Sequence, residues 1–229
     1  ETVAGIAGEK LTNEENYLLQ KLTRVVLGTN NIDCCARVCH APTAFGMQKS
    51  FGTGAATNSI KDLSETEFIM LIGANPTAAH PVTGAKIKQK VMKGTPLLVI
   101  DPVETELARY AQWHIQLRPG TNVAVLNMMA FYIIKSGFVD SAFVEERTEA
   151  FGEYKEAILA LDIDSLASIA GVDKSLVKEA AIAYAKAHKA MSFHGLGVTE
   201  HYQGSRAIMC IADLVMLTGN IGFEGAGMN

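Results

Sequence analysis

The stretch "FIMLIGANPTAAHPVTGAKIKQKVMKGTPLLVIDP", Phe68 to Pro102, decides how the chain is built. Phe68 to Ile72 is an unbroken apolar run that stops at Gly73, the pattern of a strand covered on both faces. A helical segment follows through Ala85 to Val91 and closes at Gly94. Pro96 then introduces a second apolar run, Leu97 to Ile100, and Asp101-Pro102 punctuates its end. Strand, helix and strand in that order make a βαβ unit, whose two strands run parallel.

The alternation continues on both sides. Downstream, Trp113 to Leu117 reads as a short strand, Arg118-Pro119-Gly120 as a turn and Asn122 to Ile134 as a strongly apolar helix. Phe151 to Leu161 and Lys174 to Lys189 read as amphipathic helices, the second capped by Asp173. Met191 to Phe193 is a further strand, and Ser205 to Leu217 a final helix ending at Gly219. Upstream, Thr12 and Glu15 form a capping box for a helix whose apolar face is Tyr17, Leu18, Leu22, Val25 and Val26, with Gly28 as its stop. The expected fold class is therefore α/β: a mainly parallel, Rossmann-like sheet with helices on both faces.

Composition narrows the function. The 229 residues are 48% hydrophobic and 19% charged, with a net charge of −4, which describes a compact globular chain. No basic stripe with interleaved aromatics is present, so nucleic acid is not the expected partner. The longest apolar stretch, Val123 to Ile134, is too short to span a bilayer and is interrupted by Asn127. Four cysteines are too few for a disulfide scaffold. Reduced thiols in a cytoplasmic setting are expected; no secretory leader is visible in a sequence that begins at Glu1 without Met.

Chemistry concentrates in two places. Open parallel sheets bind ligands beyond the carboxyl ends of their strands, near the switch in strand order. Those ends are Gly73-Ala74-Asn75, Asp101, Leu117 to Asn122 and His194-Gly195-Leu196-Gly197. Any one of them could be a mere turn; four such ends, rich in Gly, Asn and Asp, suit a nucleotide. A dinucleotide fingerprint is missing, because "FGTGAATN" has Gly52 and Gly54 without the third glycine, and "HGLGVTEHYQG" has the wrong spacing. The second place is "DCCARVCHAPTAFG", Asp33 to Gly46, with three cysteines in six positions and a histidine after the last. Its spacing lacks the paired C-x2-C units of a structural zinc site, and from the residues alone a metal, a disulfide, a nucleophile or a packed corner remain open. Cys210 reads as ordinary core.

Six stretches, "TNEENYLLQK", "NNIDCCARVCHAPT", "GANPTAAHP", "HIQLRPGTNVAVLN", "GLGVTEHYQG" and "MLTGNIGFEGAG", together resemble the catalytic alpha subunit of formate dehydrogenases, within the molybdopterin oxidoreductase superfamily. The resemblance runs in order from about Thr12 to the last residue. It implies a bis(molybdopterin guanine dinucleotide) cofactor carrying molybdenum or tungsten, and oxidation of formate to carbon dioxide. It also implies that Cys39 is the thiolate ligand to that metal, standing where some relatives carry selenocysteine. His40 would accept or relay the proton, histidine being the side chain that titrates near neutral pH. Asn75 and Asp101 would hold guanosine portions of the cofactor, with Gly73, Gly120 and Asn122 alongside, and Leu196, Gly197 and Glu200 would lie against the pterin. Cys34 and Cys35 would be neighbours without a ligand role. His80 reads either as a hydrogen-bonded core residue or as a border of the cofactor, His194 and His201 as structural or supporting groups.

Two departures qualify the resemblance. The family's C-x2-C-x3-C iron–sulfur motif is not found, and the arginine that clamps formate would follow shortly after Asn229. Val103 also stands where relatives usually have arginine. A fragment is therefore expected, with residues 1–33 the helical end of a preceding domain and 34–229 an α/β domain that binds molybdopterin guanine dinucleotide. Such a fragment would be inactive alone and would self-associate through exposed apolar surface. Iron–sulfur clusters and electron-transfer subunits or domains would lie outside it. The segment from about Ile32 to Thr57 is expected to be a mobile loop, since its anchors would be the metal and other domains. Alternatives are another molybdopterin oxidoreductase, such as a formylmethanofuran dehydrogenase or a nitrate reductase, or a cofactor-binding module without chemistry. The histidine directly after Cys39 argues against the nitrate reductases.

Overall fold

A computed structural model of the chain describes residues 2–229. Its strands are β1 (Gly5–Ala7), β2 (Ile32–Cys34), β3 (Phe68–Ile72), β4 (Leu97–Ile100), β5 (Trp113–Ile115), β6 (Ala190–His194) and β7 (Gly227–Met228). The first two pair with each other; the other five form one sheet in the order β5-β4-β3-β6-β7. Every pairing is parallel. Helices are α1 (Asn13–Lys21), α2 (Ala36–Cys39), α3 (Ala41–Phe51), α4 (Pro76–Ala79), α5 (Pro81–Met92), α6 (Asn122–Lys135), α7 (Ser141–Arg147), α8 (Phe151–Leu159), α9 (Ile163–Ala170), α10 (Lys174–Lys186), α11 (Leu196–Thr199) and α12 (Gly204–Leu217).

The expected layering is present. All residues of β3 and β4 are buried, and alternate side chains enter different cores because a strand has period two. Phe68, Met70, Ile72, Leu98 and Ile100 join residues of α6, α10 and α12. Ile69, Leu71, Leu97 and Val99 pack with Ile87 and Val91 of α5 and with Leu107. The two βαβ strands keep the boundaries read from their apolar runs, and Asp173 caps α10 by accepting from the Ser175 N–H at 2.8 Å. The helix read as starting near Ala85 begins four residues earlier, with Pro81 in its first turn, where the missing N–H costs nothing.

The first helix and the cysteine-bearing segment need a closer description. The Thr12–Glu15 capping box forms as read, but the apolar face behind it is uncovered: Tyr17, Leu18, Leu22, Val25 and Val26 are between 46% and 71% exposed. Periodicity reports that a helix is two-faced, not what covers it. Beyond Lys21 the coil widens to a π-helical turn, with the Leu27 N–H donating to the Leu22 carbonyl at 3.0 Å. The segment expected as a loose loop instead contains α3. This helix packs on α12 so closely that a Cβ on Gly46 would lie 2.7 Å from Ile208 Cγ2, and its Met47 is buried.

Register sets up the site. Ile72 pairs with Ile100 on one side and with His194 on the other, so β3, β4 and β6 end at one level. From β3 the chain proceeds to β4 and β5, then crosses back to place β6 on the opposite flank of β3. The order reverses between β3 and β6, where a crevice opens.

Candidate functional site

Three glycines close the floor of that crevice. Gly73 leaves β3 at φ 53°, a left-handed conformation that glycine takes freely. A methyl group on it would stand 2.6 Å from the Gly197 carbonyl carbon; one on Gly195 would stand 2.6 Å from the Gly73 oxygen. The Gly197 N–H donates to the Gly73 carbonyl at 3.0 Å. Asn122 Nδ2, at the start of α6, donates to the Gly197 carbonyl at 3.2 Å. Only residues without a Cβ let the ends of β3 and β6 touch backbone to backbone.

Above this floor is a cavity of about 560 Å³. Cys39, His40 and Thr43 line one side, Ala74, Asn75 and His80 another, and His194, Gly195, Leu196 and Asn229 the third. Cys39 is half-buried at the end of α2, and its carbonyl accepts from Thr199 Oγ1 at 3.0 Å. Its Sγ, the Cys35 Sγ and a Glu9 carboxylate oxygen all lie within 4.8 Å of one another. His40 is exposed at the joint between α2 and α3.

His194 ends β6 and carries the strongest local signature. Its Nε2 lies 3.1 Å from Thr43 Oγ1, while Nδ1 is buried without a hydrogen-bond partner among the described residues. Burial, helped by the nearby His40, pushes its imidazole pKa down to about 4, so the ring is neutral at physiological pH. Such a ring always has one nitrogen ready to accept and one to donate. Its pairing with Thr43 was missed by the sequence reading, as was the place of Thr199.

Of the residues read from sequence, Cys39, His40, Gly73, Asn75 and Leu196 line the cavity, and Gly197 and Asn122 support its floor. Asp101, Gly120 and Glu200 lie outside its lining. The Asp101 carboxylate accepts from the Val103 N–H at 2.8 Å; Gly120 sits at φ 86° in the turn before α6; Glu200 is exposed and closes α11. His80 is exposed and borders the cavity, so it is not a core histidine. His114, in β5, lies 3.0 Å by its Nε2 from the Asp101 carbonyl. Cys210 is a sheltered thiol facing Asn127 Oδ1 at 3.5 Å, its pKa pushed up to about 12 by burial.

The family model for molybdopterin oxidoreductases matches residues 1–229. The chain belongs to that family. Among curated relatives, formate dehydrogenase H of Escherichia coli (strain K12) is 42% identical over 217 residues, which are 95% of this chain and 30% of that protein. The F420-dependent formate dehydrogenase subunit alpha of Methanocaldococcus jannaschii is 43% identical over 220 residues, 96% of this chain and 33% of that protein. The solved structure of acetylene hydratase from Pelobacter acetylenicus superimposes with a TM-score of 0.82 at 25% identity, over 98% of this chain and 30% of that one. The chain thus spans about a third of the length of these relatives, and its α/β layering is that of a molybdopterin oxidoreductase. No helix among the described residues is long and apolar enough to cross a membrane.

A molybdopterin-type cofactor suits the donor set of this cavity. A half-buried thiol at the cavity wall offers soft sulfur to a soft metal. The orphaned His194 Nδ1 and the glycine floor offer a hydrogen-bonding group and close backbone approach.

Proposed function

We propose that this chain is the metal-ligand and nucleotide-seating portion of a formate dehydrogenase dependent on molybdenum or tungsten. The observation that carries the reading is the Cys39–His40 pair at the cavity where β3 and β6 part. Cys39 would hold the metal as a thiolate, which coordination keeps ionised at neutral pH. Gly73, Asn75, Asp101, Gly120 and Asn122 would seat guanosine portions of a molybdopterin guanine dinucleotide, and Leu196, Gly197 and Glu200 would lie along the pterin. When bound, this centre supplies a two-electron redox couple. The balanced change is formate to carbon dioxide, one proton and two electrons. His40, exposed beside Cys39, takes the proton and passes it to solvent.

No lysine or arginine is among the described residues that line the cavity. A formate carboxylate needs a charged donor, so in this reading that cation comes from other parts of the whole protein, and the 229-residue chain alone does not turn over formate. Electron-transfer partners would likewise lie beyond it. The uncovered face of α1 is apolar surface suited to such neighbours or to self-association. All four cysteines are free, which suits the cytoplasmic location we assign.

The test uses the whole protein that carries this chain. Cys39→Ser abolishes formate-dependent dye reduction and lowers bound molybdenum or tungsten by elemental analysis, whereas Cys34→Ser leaves both unchanged. Full turnover in Cys39→Ser overturns the proposal, as does robust formate oxidation by the 229-residue chain alone.

A further inference from the structure

Beside the cavity, two separate pieces of backbone deliver three metal-ligating groups to one point. Glu9 follows β1, Cys35 follows β2, and Cys39 comes one helical turn later. The pairing of β1 with β2 continues as the Cys35 N–H donates to the Ala7 carbonyl at 3.1 Å, which holds the Glu9 segment against α2. The Cys39 N–H donates to the Cys35 carbonyl at 3.1 Å, so the two thiols stack four residues apart on one helical face. The Cys35 sulfur and the Glu9 carboxylate face each other at this point, within the 4.8 Å that bounds the three groups.

We propose that Glu9, Cys35 and Cys39 form a labile site for a thiophilic divalent cation of the zinc class. Two thiolates and one carboxylate are a zinc-type donor set. Around a tetrahedral ion with bonds of about 2.0–2.3 Å, ligand atoms stand roughly 3.5 Å apart. The three groups here are within 4.8 Å, and rotation of the exposed Glu9 side chain closes the difference. Three protein ligands leave a fourth position open to water, which lets the ion exchange. Binding expels two thiol protons to solvent, so affinity rises with pH. Cys34 is outside the group: it follows Asp33, whose Oδ1 accepts its N–H at 2.8 Å.

The consequence rests on the role proposed for Cys39. A cation held through the Cys39 sulfur draws on the electron density that the cofactor's metal would use, so the two ions compete for that thiolate, and the bound cation meanwhile shields it. The cation site itself stands on the cluster geometry alone.

The test is titration of the reduced 229-residue chain with Co²⁺ under inert gas, followed by Zn²⁺ competition. One equivalent of Co²⁺ gives a thiolate-to-metal charge-transfer band that Zn²⁺ abolishes. Cys35→Ser and Glu9→Gln each weaken binding by more than the roughly tenfold that loss of an outer hydrogen-bond partner costs a metal site. Cys34→Ser and Cys210→Ser bind normally, and circular dichroism shows the variants folded. Absence of the band, or unchanged binding in folded Cys35→Ser or Glu9→Gln, overturns the site. Failure of the formate dehydrogenase reading shows elsewhere, as turnover that survives Cys39→Ser in the whole protein.

Discussion

Gly73→Ala tests whether the crevice floor depends on backbone contact. Two costs combine at this position. An alanine held at φ 53° is in the left-handed region, at about 1–2 kcal/mol. Its methyl would also stand 2.6 Å from the Gly197 carbonyl carbon and 2.9 Å from the Val198 nitrogen; overpacking of this kind costs about 1–3 kcal/mol. The reduced freedom of the unfolded chain returns about 0.4–1 kcal/mol, leaving a net loss of roughly 2–4 kcal/mol. With a urea dependence of about 2–3 kcal/mol/M the midpoint falls by about 1 M. Two controls separate the terms. Gly52→Ala has φ 74° and nothing within 4 Å of the new methyl, so it carries the conformational term alone. Gly195→Ala has an ordinary extended φ but meets the Gly73 oxygen at 2.6 Å, so it carries the contact alone. Urea unfolding followed by circular dichroism should place Gly73→Ala near the sum of the two. A Gly73→Ala variant no less stable than Gly52→Ala refutes the argument that the floor is closed by backbone contact.

Opposed titrations should nearly cancel in the acid range. Burial lowers His194 from 6.5 to about 4, so below pH 6.5 the unfolded chain binds a proton that the native one refuses, and stability falls as pH falls. Burial raises Asp213 from 3.8 to about 6, so between those values the native state holds the proton, and stability falls as pH rises. Between pH 4 and 6, measured as the slope of unfolding free energy, Asp213→Asn should therefore steepen the rise with pH by about 1.4 kcal/mol per pH unit and His194→Gln should lower it by as much; identical slopes in all three proteins would falsify the assignment. In thiol labelling at pH 8, Cys210 should react last and become reactive with global unfolding, because its thiol is held protonated by burial; labelling as fast as Cys34 contradicts this. Thr12→Ala removes the capping-box bond that the Thr12 hydroxyl accepts from the Glu15 N–H and leaves the one its own N–H donates to the Glu15 carboxylate, a loss of about 1 kcal/mol of helix stability. Since α1 buries no residue, amide exchange should quicken about fivefold in α1 while the global unfolding midpoint stays put.

What could be read from sequence follows from what each signal measures. Strands β3 and β4 were legible because burial on both faces demands unbroken apolar runs. Helix α3 was not: Pro42 and Gly46 interrupt "APTAFGMQKSF", and only the close approach of Ile208 explains the glycine. The three-residue strands β1 and β2 are too short to show a period. The Cys39–His40 pair and the glycine-rich strand ends were visible as local patterns. The His194–Thr43 contact joins residues 151 positions apart, and no local pattern announces it.

The pairing of β3 with β6 also governs when the crevice comes into being. All of residues 73 to 189 lie between these strands in sequence, while β3, α5 and β4 can assemble from neighbouring segments. Closing so long an interval is entropically costly and slow, so the His194 side of the crevice should join the Gly73 side late in folding. A molecule that bridges both sides would then act as a clasp on the last step of folding, and its capture and the chain's maturation would be a single event.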